Sequence, residues 1–252
     1  MTTYLSGETA SPSQNLDVPS RALAIGAHPD DIEFGCGGTL AKWAAKGCEI
    51  FHLVCTDGSK GTWDPDVDGA ALARRRQREQ TDAARILGGS APVTFLGWTD
   101  GELESGMVQR GQIVEAIRRL KPDIILAHDP WKRYRLHPDH RHAGFLATDG
   151  VVAARDPLFF PELGAPHRPS KMLLWEADQP DHEENLDEEL FQRKLLALKA
   201  HSSQYESTMG VNRLDDESQL VAFENRIRTR LSENSLSHNG QLSEVFKLID
   251  NI

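Results

Sequence analysis

Two stretches of this 252-residue chain carry side chains that could do chemistry together. The first is His28-Pro29-Asp30-Asp31, followed by Ile32-Glu33-Phe34 and the run Gly35-Cys36-Gly37-Gly38. It offers an imidazole and two neighbouring carboxylates. A neutral imidazole and a carboxylate suit zinc or a similar divalent ion. Pro29 fixes the backbone after His28 and confines His28 itself to extended geometry. His28 and Asp31 can then hold one ion, leaving Asp30 free to act on a water. Taken alone, the stretch reads more readily as an aspartate at a helix N-terminus beside an incidental histidine.

The second stretch, residues 127–142, changes that balance. It holds His128, His137, His140 and His142, four of the ten histidines in the chain. Pro138 suits the first turn of a helix. His137 and His140 are three apart and lie near one face of that helix. Each cluster follows an apolar run of strand length. Together they supply His, Asp and His, which points to a catalytic metal site.

The elements that must position these residues are readable. Apolar runs at 22–27, 49–56, 93–96, 123–127 and 172–175 read as strands. Helices are expected at 39–46, 69–88, 107–120, 138–152 and 187–200. The first half therefore alternates strand and helix, the pattern of a mostly parallel, Rossmann-like α/β sheet with helices on both faces. In such sheets ligands bind beyond the carboxyl ends of the strands, where both clusters fall. Residues 155–169 read as irregular. The remainder reads as polar helix closing on an apolar stretch, 245–249. Residues 1–19 read as a flexible tail, and 20–252 as a single domain.

Composition narrows the function. A formal net charge of −10 argues against a nucleic-acid binder. Cys36, Cys48 and Cys55 fit neither a disulfide framework nor a cysteine zinc site. No signal peptide or long apolar run is evident, so a soluble, cytoplasmic protein with no membrane partner is expected. Gly35 to Gly38 reads as a glycine turn and invites a second class of reading, a nucleotide-binding module. The dinucleotide fingerprint is only partial, because Leu40 stands where a small residue is needed. Lys132, Arg133 and Arg135 fit an anionic substrate group. His142 reads as a solvent-facing helix residue.

With His28-Pro29-Asp30-Asp31 and His137-Pro138-Asp139-His140 both in view, the chain resembles the PIG-L/LmbE-like family of zinc-dependent N-deacetylases. Weaker echoes are Arg76-x-x-Glu79, Asp100-Gly101, His201-x-Ser203-Gln204 and Ser243-Glu244. The resemblance implies that His28, Asp31 and His140 hold zinc or another divalent transition metal. It implies that Asp30 is the general base, and that His137 polarises the carbonyl or protonates the leaving amine. Arg76 and Asp100 match positions that contact the sugar, and Asp139 is expected to support the set. The implied reaction removes an N-acetyl group from an N-acetylglucosamine-type sugar or conjugate, releasing acetate and a free amine. An amidase or deacylase of a different conjugate or secondary metabolite would use the same site. A small-molecule substrate and a homo-oligomer are expected.

Overall fold

The computed structural model describes residues 12–89, 91–213, 216–237 and 240–252. Five parallel strands form its centre: β2 (Arg21–Gly26), β3 (Glu49–Thr56), β4 (Thr94–Trp98), β5 (Ile124–His128) and β6 (Lys171–Trp175). With β1 (Ser13–Gln14), β7 (His182–Leu186) and β8 (Leu242–Asp250) they make one sheet, ordered β1-β7-β8-β6-β5-β2-β3-β4. Only β8 among these runs antiparallel to its neighbours. The helices are α1 (Asp31–Ala44), α2 (Gly69–Ile86), α3 (Met107–Leu120), α4 (Pro138–Arg155), α5 (Glu188–Lys199) and α6 (Glu217–Glu233).

The alternation along β2 shows why both faces are covered. Leu23 and Ile25 enter a core with Ile113, Val114 and Val151 of α3 and α4. Ala22 and Ala24 enter another with Ile32, Leu40 and Trp43 of α1. A strand buried on both faces must be apolar on both, as this one is from Ala22 onward. The chain runs outward from β2 to β3 and β4, then crosses back to place β5 on the other side of β2. The order thus reverses between β2 and β5, where a crevice opens at the strand ends.

Three expectations are corrected. Gly35 to Gly38 is no turn: α1 begins at Asp31 and contains all of it. These glycines serve close approach, since a Cβ on Gly35 would lie 2.5 Å from the Trp175 ring and one on Gly38 2.4 Å from Leu186. Packed in this way, they offer no open loop to a nucleotide phosphate. The helix kinks at Cys36 (φ −149°, ψ 17°), and the backbone N–H groups of Gly38 and Thr39 donate to Glu244 at 2.9 and 2.7 Å. A kink exposes donors like those of a helix start, and a carboxylate satisfies them.

Second, the apolar stretch near the C-terminus is strand β8, and residues 182–186 form a further strand that the sequence pattern did not reveal. Their buried acids hid them. Glu183, Glu184 and Glu244 are all buried. Lys42 pairs with Glu184, and Lys194 with Glu244 at 2.6 Å. Third, of the expected tail 1–19, residues 1–11 lie outside the described residues. Ser13–Gln14, however, pairs in parallel with β7, and Gln14 donates to Glu183 at 2.7 Å.

Candidate active site

The first cluster is the connection from β2 into α1. The His28 N–H donates to Asp31 Oδ2 at 2.7 Å, and the Asp31 N–H to the His28 carbonyl at 3.3 Å. Between them Asp30, the residue before α1, adopts φ 106°, ψ −25°, a left-handed conformation rare for a residue with a Cβ. The second cluster is the entry to α4. His137 precedes the helix in the extended geometry that Pro138 demands. His140 in the first turn then stacks between His137 and His128, with ring centroids 4.7 and 4.4 Å away.

His28, Asp31 and His140 converge. His28 Nδ1 lies 3.2 Å from His140 Nε2 and 3.4 Å from Asp31 Oδ2, and His140 Nε2 lies 3.2 Å from Asp31 Oδ1. Such a triangle fits an ion bound at about 2.0–2.2 Å by imidazole nitrogen and carboxylate oxygen. Two segments distant in sequence supply donors of the kind zinc favours, so the residues fit a divalent transition metal.

Carboxylates behind the triangle orient the His28 imidazole. His28 Nε2 faces Asp139 Oδ2 at 3.1 Å and Asp100 Oδ1 at 3.2 Å, which turns Nδ1 towards the triangle. Asp139 is fully buried and also accepts from the N–H groups of Gly101 and Leu103, tying the loop after β4 to His28. Asp100 therefore has a partner within the protein, although the sequence pointed to the sugar alone.

His128 was not singled out by sequence. It is buried at the carboxyl end of β5, and its Nδ1 accepts from Trp175 Nε1 at 2.9 Å and from Arg135 at 3.2 Å. Its proton is thereby assigned to Nε2, which faces Asp31 Oδ2 at 3.1 Å. His128, His140 and Glu176 form another group with metal-ligand spacing. A guanidinium nitrogen of Arg135 already stands among them, 3.2 Å from His128 Nδ1, 3.5 Å from His140 Nδ1 and 2.8 Å from Glu176. Arg135 is thus a buried cation bound within the protein, rather than one offered to an anionic substrate group as the sequence suggested. The signal in the sequence was slight: a histidine ending a strand one residue before Asp129-Pro130.

The electrostatics separate the neighbouring carboxylates. Burial raises the Asp30 carboxyl to about 6, against the pull of Arg76. Burial would raise Asp31 as well, but the imidazoles of His140 and His128 beside it hold it well below the usual range. Burial lowers His128 to about 4, so it is neutral near pH 7. Burial also lowers His137, helped by His28 and His140. Burial would lower His28, but its carboxylate partners raise it well above its ordinary value.

A cavity of about 430 Å³ opens over the cluster. Asp30, His137, Arg76 and Asp100 all line it, along with Lys60, Glu176 and Arg230. His137 is exposed, whereas Arg76 is only 3% exposed. His142 is half-buried and bonds Ser105 at 3.2 Å, so the solvent-facing reading does not hold.

The profile described as PIG-L, GlcNAc-PI de-N-acetylase, matches residues 23–151. Diacetylchitobiose deacetylase of Thermococcus kodakarensis is 38% identical over 189 residues, spanning 73% of this chain and 70% of that protein. The 1D-myo-inositol 2-acetamido-2-deoxy-alpha-D-glucopyranoside deacetylase of Streptomyces avermitilis is 32% identical over 209 residues, spanning 72% and 68%. The solved structure of N,N'-diacetylchitobiose deacetylase from Pyrococcus horikoshii, complexed with its inhibitor MPG, aligns with a TM-score of 0.80 at 29% identity, covering 92% of this chain and 85% of that one. Fold and relatives together define the class, a hydrolase, built on a mostly parallel sheet, that cleaves amide bonds as an N-deacetylase. Within that class, the chain belongs to the PIG-L family.

Proposed function

We propose that this enzyme removes the N-acetyl group of an N-acetylglucosamine-type sugar or conjugate, with zinc or a similar divalent ion held by His28, Asp31 and His140. The observation that carries this reading is the convergence of His28, His140 and the two oxygens of Asp31, with approaches of 3.2 to 3.4 Å, and a second carboxylate, Asp30, beside them on the cavity wall. The names of the two sugar-acting relatives support the substrate class. A bound ion supplies Lewis acidity there, polarising the acyl oxygen and lowering the pKa of water to about 7. Asp30 accepts the proton of the attacking water as general base. His137, at the opening, donates to the acyl oxygen as negative charge develops on it. Asp30 or His137 then returns a proton to the departing amine, and acetate is released. Arg76 and Asp100 bind the sugar hydroxyls from the wall.

No helix among the described residues is long and apolar enough to cross a membrane. The substrate proposed is a small molecule, and the location and assembly proposed are the cytoplasm and a homo-oligomer with no nucleic-acid or membrane partner. The test is acetate release from N,N'-diacetylchitobiose, N-acetylglucosamine and N-acetylglucosaminyl-inositol, before and after a chelator and with zinc restored. Release that a chelator abolishes and zinc restores is expected. An enzyme reconstituted with zinc that releases acetate from none of the three would overturn the substrate class.

A further inference from the structure

Asp30 holds a backbone conformation that its side chain disfavours, φ 106°. The neighbouring helix accounts for its persistence. Arg76 and Gln80 are one turn apart on α2 and lie on its buried side. A guanidinium nitrogen of Arg76 donates to the Pro29 carbonyl at 2.5 Å, and Gln80 Oε1 accepts the Asp30 N–H at 3.0 Å. The Pro29 carbonyl and the Asp30 N–H are the two poles of a single peptide unit. Rotation of that unit is what would relax Asp30 to negative φ.

We propose that Arg76 and Gln80 are positioning residues that clamp the Pro29–Asp30 peptide, holding Asp30 in its left-handed conformation and its carboxylate on the cavity wall.

A flipped peptide would turn its carbonyl towards Gln80 Oε1 and its N–H towards the Arg76 guanidinium. Both contacts would set like poles together, and both residues are buried, so water could not screen them. Neither clamp residue is free to adapt. Gln80 Nε2 donates to Glu33 at 2.7 Å, and Glu33 accepts from His201 at 3.2 Å as well. A carboxylate facing the amide nitrogen leaves Gln80 only its oxygen for Asp30. Arg76 also donates to the Gly58 carbonyl at 2.9 Å. A Cβ on Gly61 would come within 2.3 Å of the guanidinium, so the glycine leaves the arginine its space. The catalytic carboxylate is thus set by side chains from a helix that supplies no ligand to the triangle.

This inference rests on Asp30 acting as the base, and the experiment separates the two. Gln80→Met keeps side-chain length and removes both amide poles. It is compared with wild type, Asp30→Asn and the double variant, using kcat, KM and bound zinc. In the wild-type background Gln80→Met is expected to lower kcat about 10–100-fold with KM and zinc content nearly unchanged, the usual cost of losing a group that orients an active residue. In the Asp30→Asn background it is expected to cost nothing further. A wild-type kcat in Gln80→Met, or the same fold-loss in both backgrounds, overturns the clamp while leaving Asp30 as base. A wild-type rate in Asp30→Asn alone overturns the base assignment instead. If Gln80→Met is not recovered folded, Gln80→Asn, which draws the same amide back by one methylene, is judged by the same outcomes.

Discussion

Asp30 and Asp31 are adjacent, yet their surroundings give them different work. Asp31 touches His28, His140 and His128, whereas Asp30 faces Arg76 and the cavity. Asp30→Asn is expected to bind zinc nearly normally and to lose about 10²–10⁴-fold in kcat, because an amide cannot take up the proton. Asp31→Asn should lose metal and activity together. Metal analysis beside steady-state kinetics checks both, and the opposite pattern would exchange the roles. His128 can be examined separately. His128→Phe retains a ring for the stack but lacks the nitrogen that lies 3.1 Å from Asp31 Oδ2. Zinc affinity, measured by competition with a chromophoric chelator, should weaken by about 10–100-fold. Unchanged affinity would reduce His128 to a packing residue.

At the scale of elements, α1 is the piece on which the site turns. It starts at Asp31, kinks at Cys36 and resumes against β8. Glu244 holds the resumed half through the Gly38 and Thr39 N–H groups and the Thr39 hydroxyl, and Lys194 neutralises it at 2.6 Å. Lys194 also donates to the carbonyls of Glu33 and Phe34, just before the kink. One buried ion pair therefore serves both halves of the helix. Glu244→Ala leaves Lys194 buried without its counter-charge and removes the cap. Breaking a buried pair in this way costs about 3–5 kcal/mol. Urea titration should show a loss of that size; a loss under about 1 kcal/mol, the worth of an exposed pair, would mean that the cap is dispensable.

For the whole molecule, Glu176 links three distant parts. It follows β6, accepts from Arg135 beside the proposed metal ligands at 2.8 Å, and accepts from Arg230 of α6 at 2.8 Å. Burial would raise its carboxyl, but Arg230 and Arg135 lower it from 4.5 to about 2. A carboxyl depressed in the folded state contributes stability that is complete above its unfolded value and is lost as pH falls through its folded one. The contribution of Glu176 should therefore fade between pH 4.5 and about 2. Denaturant midpoints across that window should fall less steeply for Glu176→Gln than for wild type. Parallel slopes would show that other carboxyls govern acid unfolding.

The sequence by itself determined the strands of the centre and the two clusters. Those depend on local properties: Ala22 to Ala27 is too apolar to lie anywhere but in a core, and His-Pro-Asp at two strand ends sets short-range geometry that Pro29 and Pro138 enforce. Helix α3 shows the same locality, its bounds matching the expected 107–120. The tertiary structure alone decided what depends on partners distant in sequence. Glycines 35, 37 and 38 lie inside a helix rather than a turn, and two of them are there because Trp175 and Leu186 leave no room for a Cβ. Strands β7 and β8 carry buried acids that no periodicity reads as interior, because Lys42 and Lys194 come from other elements. His128, Gln80 and Glu33 look like ordinary polar residues until the chain folds. Their part in the site is a matter of what each faces, and only the crossing of β5 over to the far side of β2, with α2 laid against the start of α1, brings those faces together.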